Sequence, residues 1–128
     1  MYRFMLILVA LPLAGCQLPT PSGSHLYERH CADCHGSDLR GSGALGADLP
    51  IAPPDLTGVS QRNGGVFPMV DVIAQIHGYP GRHHQGLMPE FAPDLSSEPA
   101  MLTTAEGQEI AVPKEILRIA QYLESQQQ

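Results

Sequence analysis

Gly23-Ser24-His25-Leu26-Tyr27-Glu28-Arg29-His30-Cys31-Ala32-Asp33-Cys34-His35-Gly36 decides how the rest of the chain is read. Within it, Cys31-Ala32-Asp33-Cys34-His35 has the C-x-x-C-H spacing of covalent haem attachment. On a helical turn, residues three apart share a face, so both sulfurs can reach the vinyl groups along one haem edge. His35, next in line, then lies under the iron. The competing reading is a C-x-x-C redox pair, which belongs to a βαβ context and does not need the histidine. No strand pattern precedes Cys31. Structural zinc wants four ligands, and no second cysteine pair exists.

The composition agrees with a cofactor at the centre. The chain has 128 residues, with 13 Gly, 12 Pro, no Trp and 5% aromatics. Such a chain has few large side chains to fill a core, and a small domain of that kind needs a staple. Its length allows one domain. The net charge is −6, and removal of residues 1–15, which hold Arg3 and no carboxylate, makes it −7. That balance argues against nucleic acid, whose binding depends on clustered cations.

The remaining cysteine, Cys16, belongs to the N-terminus. Arg3 precedes a ten-residue apolar run, Phe4 to Leu13, broken only by Pro12. A membrane-spanning helix needs about 20 residues, so this run suits a signal peptide. It ends in Leu13-Ala14-Gly15-Cys16, which resembles the bacterial lipobox, where cleavage precedes an acylated cysteine. The expected division is therefore 1–15 signal peptide, 16–22 lipidated Cys16 and a Pro-rich flexible tether, and 23–128 the folded domain. The resemblance implies a periplasm-facing, lipid-anchored protein. Gln17, rather than Asp, after the cysteine favours the outer membrane.

The stretch from Gly23 to Gly36 resembles the first helix and haem site of class I monohaem c-type cytochromes, and the likeness extends to about Leu123. It implies a mostly α fold of three to four helices packed around one covalent haem c, with long Gly/Pro-rich loops. Helices are expected over about 24–34, from Pro68 to Gly78, and from near Pro113 to about Ser125. Pro favours a first helical position and Gly a terminus. Val70, Ile73 and His77 form one apolar stripe of the middle helix; Met69, Val72 and Ile76 form the next. Ile116, Ile119, Ala120 and Leu123 form the stripe of the last. A small hairpin is possible around Met101–Thr103 and Glu109–Val112.

The same resemblance implies roles for several residues. Pro54 would offer its carbonyl to the second ring N–H of His35, and Leu56 would pack on the haem; the competing reading of Pro53-Pro54 is a stiff turn. Arg62 would pair with a haem propionate, or else is a solvated loop arginine. Gly23, Tyr27 and Tyr122 would form the crossing of first and last helices. Met88, in Gly86-Leu87-Met88-Pro89 and 53 residues beyond His35, would be the sixth iron ligand, since a late-loop Met-Pro holds that place in the family; a thioether favours ferrous iron and so raises the potential. Met69 reads as core filling, and Met101 has no ligand context. His77, His83 and His84 offer bis-His ligation as the rival.

A haem with both axial positions filled implies a one-electron carrier between redox protein partners, and no enzyme. Two alternatives carry different chemistry. A displaceable Met88 would make a haem-based sensor or peroxidase-like enzyme. Use of His77, His83 and His84 to carry a metal would make an assembly lipoprotein.

Overall fold

The computed structural model describes residues 20–78, 88–95 and 98–128. Helix α1, Gly23–His30, starts where Ser22, in extended conformation, accepts a hydrogen bond from the His25 amide at 3.2 Å, satisfying one of the donors a helix start leaves open. The helix buries Leu26 and Tyr27. Helical geometry lapses at Cys31, with φ −124°, and resumes in α2, Ala32–His35. The expected single helix over about 24–34 is thus two, jointed at the first haem-motif cysteine. Gly36, at φ 77°, ends α2.

A 3₁₀ turn at Gly46–Asp48 and the short helix α3, Val59–Arg62, interrupt the region expected to be loop. Helix α4, Met69–His77, follows Pro68 and stops at Gly78, whose left-handed φ of 83° lets its N–H reach the Ala74 carbonyl. Its buried residues are Ile73, Ala74 and Ile76; Val70, expected on the inward stripe, is 39% exposed. The helix is covered mainly along its C-terminal half, and Val70 near its start meets solvent.

Strands β1, Pro99–Thr103, and β2, Glu109–Pro113, pair antiparallel from Pro99↔Pro113 to Thr103↔Glu109. Alternation places Ala100, Leu102, Ile110 and Val112 toward the core. Helix α5, Lys114–Ser125, follows at once and buries Ile116, Leu117, Ile119, Ala120 and Leu123. Among the described residues, five α-helices and one hairpin thus stand where three to four helices and a hairpin were expected; α3 and the division of the first helix make the difference.

Helix α5 is the centre of the frame, packing against both α1 and α4. At the α1–α5 crossing a Cβ on Gly23 would run into the Arg118 carbonyl and stand 2.9 Å from Tyr122 Cβ. Only Gly lets the backbones approach so closely. Tyr27 and Tyr122 stack beside it with ring centroids 5.5 Å apart. The expected crossing is the one observed. Among the described residues, no helix is long and apolar enough to cross a membrane.

Candidate haem site

The joint between α1 and α2 sets the site. Cys31 begins a turn whose amides bond back to it: His35 N–H reaches the Cys31 carbonyl at 2.9 Å, and Gly36 N–H reaches the Ala32 carbonyl at 2.8 Å. Cys31, Cys34 and His35 therefore project from one tight turn, and neither cysteine is in a disulfide. Tyr27 fastens the turn to α1, its hydroxyl donating to the Gly36 carbonyl at 2.7 Å. Burial raises the pKa of that hydroxyl strongly, so it keeps the proton it donates.

All three residues open onto one cavity of about 540 Å³, within the roughly 300–1,000 Å³ of cofactor sites. Its walls come from the whole chain. Tyr27 lies on α1, Val72 and Ile76 on α4, and Ile119 and Leu123 on α5; Phe91 and Met88 come from the segment after α4. Leu45, Leu49, Ile51, Pro54 and Leu56 complete the opposite side. Leu45 and Ile51 are 57% and 70% exposed although they face the cavity. Apolar side chains exposed around a hollow suit a large apolar group seated there.

The electrostatics suit the same group. Burial lowers the pKa of His35, which stays a neutral imidazole, the form that binds metal. The Pro54 backbone opposes that shift. His35 Nδ1 is buried, and its contact falls short of a well-formed hydrogen bond. The Pro54 carbonyl stands beside the ring as the acceptor that opposes the shift. Burial, with Cys34 beside it, pushes the Cys31 thiol up to about 12. Two sulfurs and a neutral ring nitrogen at one end of an apolar hollow fit a porphyrin held by thioethers and an imidazole. The acidic cluster that a hard cation needs is missing: no group of three His, Cys, Asp or Glu among the described residues could hold a metal ion.

Residues 19–105, more than half of the chain, match the family model described as cytochrome C oxidase, cbb3-type, subunit III. The chain belongs to this family of cytochrome c domains. It is a monohaem c-type cytochrome with a class I fold, and its cofactor is one covalent haem c. Its chemistry is haem-based electron transfer with redox protein partners. No curated protein and no solved structure matches it.

The cytochrome's other candidate residues separate clearly. Met88 lines the cavity, and its Sδ accepts a hydrogen bond from Gln75 Nε2 at 3.8 Å. Met69 packs half-buried against the core and Met101 is 60% exposed; neither lines the cavity. His77 sits on α4 and does not line it either. Arg62 is at the cavity edge, its Nη2 donating to the Asp55 carbonyl at 2.6 Å. Cys16, His83, His84, Gly86 and Leu87, and with them the signal peptide and most of the tether, lie outside the described residues.

Sequence reasoning overlooked how the Pro54–Leu56 wall is held. Leu39, buried at a left-handed φ of 62°, accepts the Leu56 amide at 2.7 Å. A non-glycine residue there costs about 1–2 kcal/mol, so the surrounding contacts must over-determine it. Gln127, beyond α5, reaches back across the chain. Its Nε2 donates to the Leu56 carbonyl at 2.9 Å and its Oε1 accepts the Ser60 amide at 2.8 Å. The Gln128 amide donates to the Thr57 carbonyl at 3.1 Å. Asp55 accepts from the Thr57 hydroxyl and amide, and these hydrogen bonds hold its carboxyl below its ordinary value. A polar Gln-rich end carries no periodicity that would have marked it.

Proposed function

We propose that this cytochrome is a lipid-anchored, periplasm-facing carrier of single electrons, with His35 and Met88 as axial ligands. One observation carries the reading: His35 and Met88, far apart in sequence, border the same apolar cavity as both haem-motif cysteines. Cys31 and Cys34 would hold the haem by thioethers, His35 would bind the iron from one face, and Met88 from the other. Bound there, the haem supplies a one-electron couple between ferric and ferrous iron. The chain's contribution is to occupy both axial positions, exclude water with apolar walls and keep His35 neutral. With both positions filled, small ligands have no open site and the electron moves with little rearrangement. Arg62, at the cavity edge, would lie close enough to meet a propionate.

The anchor reading rests on Leu13-Ala14-Gly15-Cys16 and the apolar run before it. The net charge of −6 favours a partner with a basic docking patch.

The decisive measurement is spectral. The oxidised, haem-loaded protein should show the weak Fe–S charge-transfer band in the far red and should not bind CO when reduced. Met88→Ala should abolish the band, lower the potential and admit CO. Full CO binding by wild type would instead favour the sensor or enzyme reading. A band that survives Met88→Ala would remove Met88 as ligand. Mass analysis of the mature N-terminus should find acylated Cys16; any other start ends the anchor reading.

A further inference from the structure

We infer that this cytochrome turns the groove between the start of α1 and Arg118 of α5 toward the membrane, so that its haem cavity opens to the aqueous side and takes a water-soluble redox protein as partner. The inference rests on lipidation of Cys16. The chain enters the domain at a fixed point. Arg118 Nη1 donates to the Pro21 carbonyl at 2.8 Å. Ser22 Oγ accepts the His25 amide at 3.2 Å, and the Ser22 carbonyl accepts the Leu26 amide at 3.0 Å. Gly23 then passes so close to the Arg118 carbonyl that a Cβ would collide with it. Besides these residues the groove is lined by Gln121 and Tyr122. Its lining holds one cation, Arg118, and no carboxylate, although the chain has a net charge of −6. Such a surface meets anionic headgroups without repulsion.

The cavity opens on another side. At about 100° per residue, Arg118 and Gln121 point about 120° and 180° away from the direction shared by Ile119 and Leu123, and it is Ile119 and Leu123 that line the cavity. On α1 the groove takes Gly23 and Ser24 at the start, whereas the cavity takes His30 and Cys31 at the far end. Exposed Leu45 and Ile51 mark the mouth, across the cavity from the helices. Tether length then decides the orientation. Pro21 stands five residues after Cys16, and five residues span at most about 18 Å. A domain of about 100 residues is about 30 Å across, so the path round to its far side is about 50 Å. The tether is too short for the mouth to turn to the bilayer. A partner embedded in lipid meets the groove face; a water-soluble one meets the mouth, where one electron passes between ferrous haem and the oxidised partner, or from the reduced partner to ferric haem.

The test uses full-length, haem-loaded protein on vesicles of phosphatidylethanolamine and phosphatidylglycerol. Gln121→Cys places a thiol in the groove, and Asp48→Cys places one beside the mouth, between Leu45 and Leu49. Both positions are exposed. With Cys16 acylated and Cys31 and Cys34 bound to haem, each variant has one free thiol. A polyethylene-glycol maleimide too bulky to enter the headgroups should label Gln121→Cys several-fold more slowly than Asp48→Cys. A flexible Gly/Ser insertion of about 20 residues after Gln17, which adds up to about 70 Å at full extension, should remove the difference. A soluble basic cytochrome c in the water should oxidise the reduced wild type and the long-tether protein at equal rates. Equal or reversed labelling with the native tether, a difference that persists with the long one, or oxidation that speeds up several-fold with the long tether overturns the inference. Failure of wild type to bind the vesicles overturns lipidation of Cys16 instead, and is seen before any thiol is introduced.

Discussion

The two sides of the haem cavity are held by different forces. On one side stand α1, α4 and α5, joined by buried Leu26, Tyr27, Ile73, Ile76, Ile116 and Ile119. On the other runs mostly irregular backbone from Leu39 to Gly58, broken by the 3₁₀ turn and leading into α3, with Leu45 and Ile51 exposed. The helical side satisfies its backbone internally and coheres through apolar contact. The irregular side depends on distant partners: Leu39 for Leu56, Gln127 for Leu56 and Ser60, Gln128 for Thr57. A bound haem would complete it. The contrast teaches that the helices form the frame, whereas the wall carrying Pro54 and Leu56 is held by long-range hydrogen bonds.

The largest expected effect is removal of the covalent link. A Cys31→Ala, Cys34→Ala variant should carry no covalent haem by mass spectrometry and lose most of its cooperative unfolding, because a small Gly- and Pro-rich domain loses its central packing partner. In the haem-loaded wild type, hydrogen exchange should find residues 39–60 less protected than α1, α4 and α5. Equal protection of both sides there would break the comparison.

Next comes the frame. Ile119 is fully buried and faces both core and cavity. Ile119→Ala should destabilise the haem-loaded protein by about 2–5 kcal/mol in denaturant titration, from lost transfer energy and the cavity left behind. The effect should be global, with all protected amides weakened together.

The smallest effect belongs to the wall. Gln127→Ala deprives the Leu56 carbonyl and Ser60 amide of partners and should cost about 1–3 kcal/mol. Its exchange signature should be local to residues 56–60. A global signature would show that the wall is part of the frame, and no effect would show that water replaces the latch.

Much of this was legible in the sequence. Cys31, Cys34 and His35 are recognisable because attachment chemistry demands a fixed local spacing, and a spacing survives in one dimension. Helices α4 and α5 follow from Pro, Gly and apolar stripes, since those signals act within a few residues. Gly23, Tyr27 and Tyr122 were placed at the helix crossing by the resemblance to class I cytochromes c, and the close approach there needs Gly. Val70 misled, because periodicity reports a face but not where along the helix the neighbour ends.

What only the tertiary structure decided has a common cause. That Gln75 donates to Met88 and that Gln127 latches Leu56 are juxtapositions of segments remote along the chain. A glutamine is a permissive surface residue wherever it occurs, and nothing in its neighbours distinguishes one that donates to a half-buried methionine from one that meets water. The sequence by itself determined the cofactor and the turn that binds it, through local covalent geometry. The packing of α4 and α5 determined which side chains close the cavity around it.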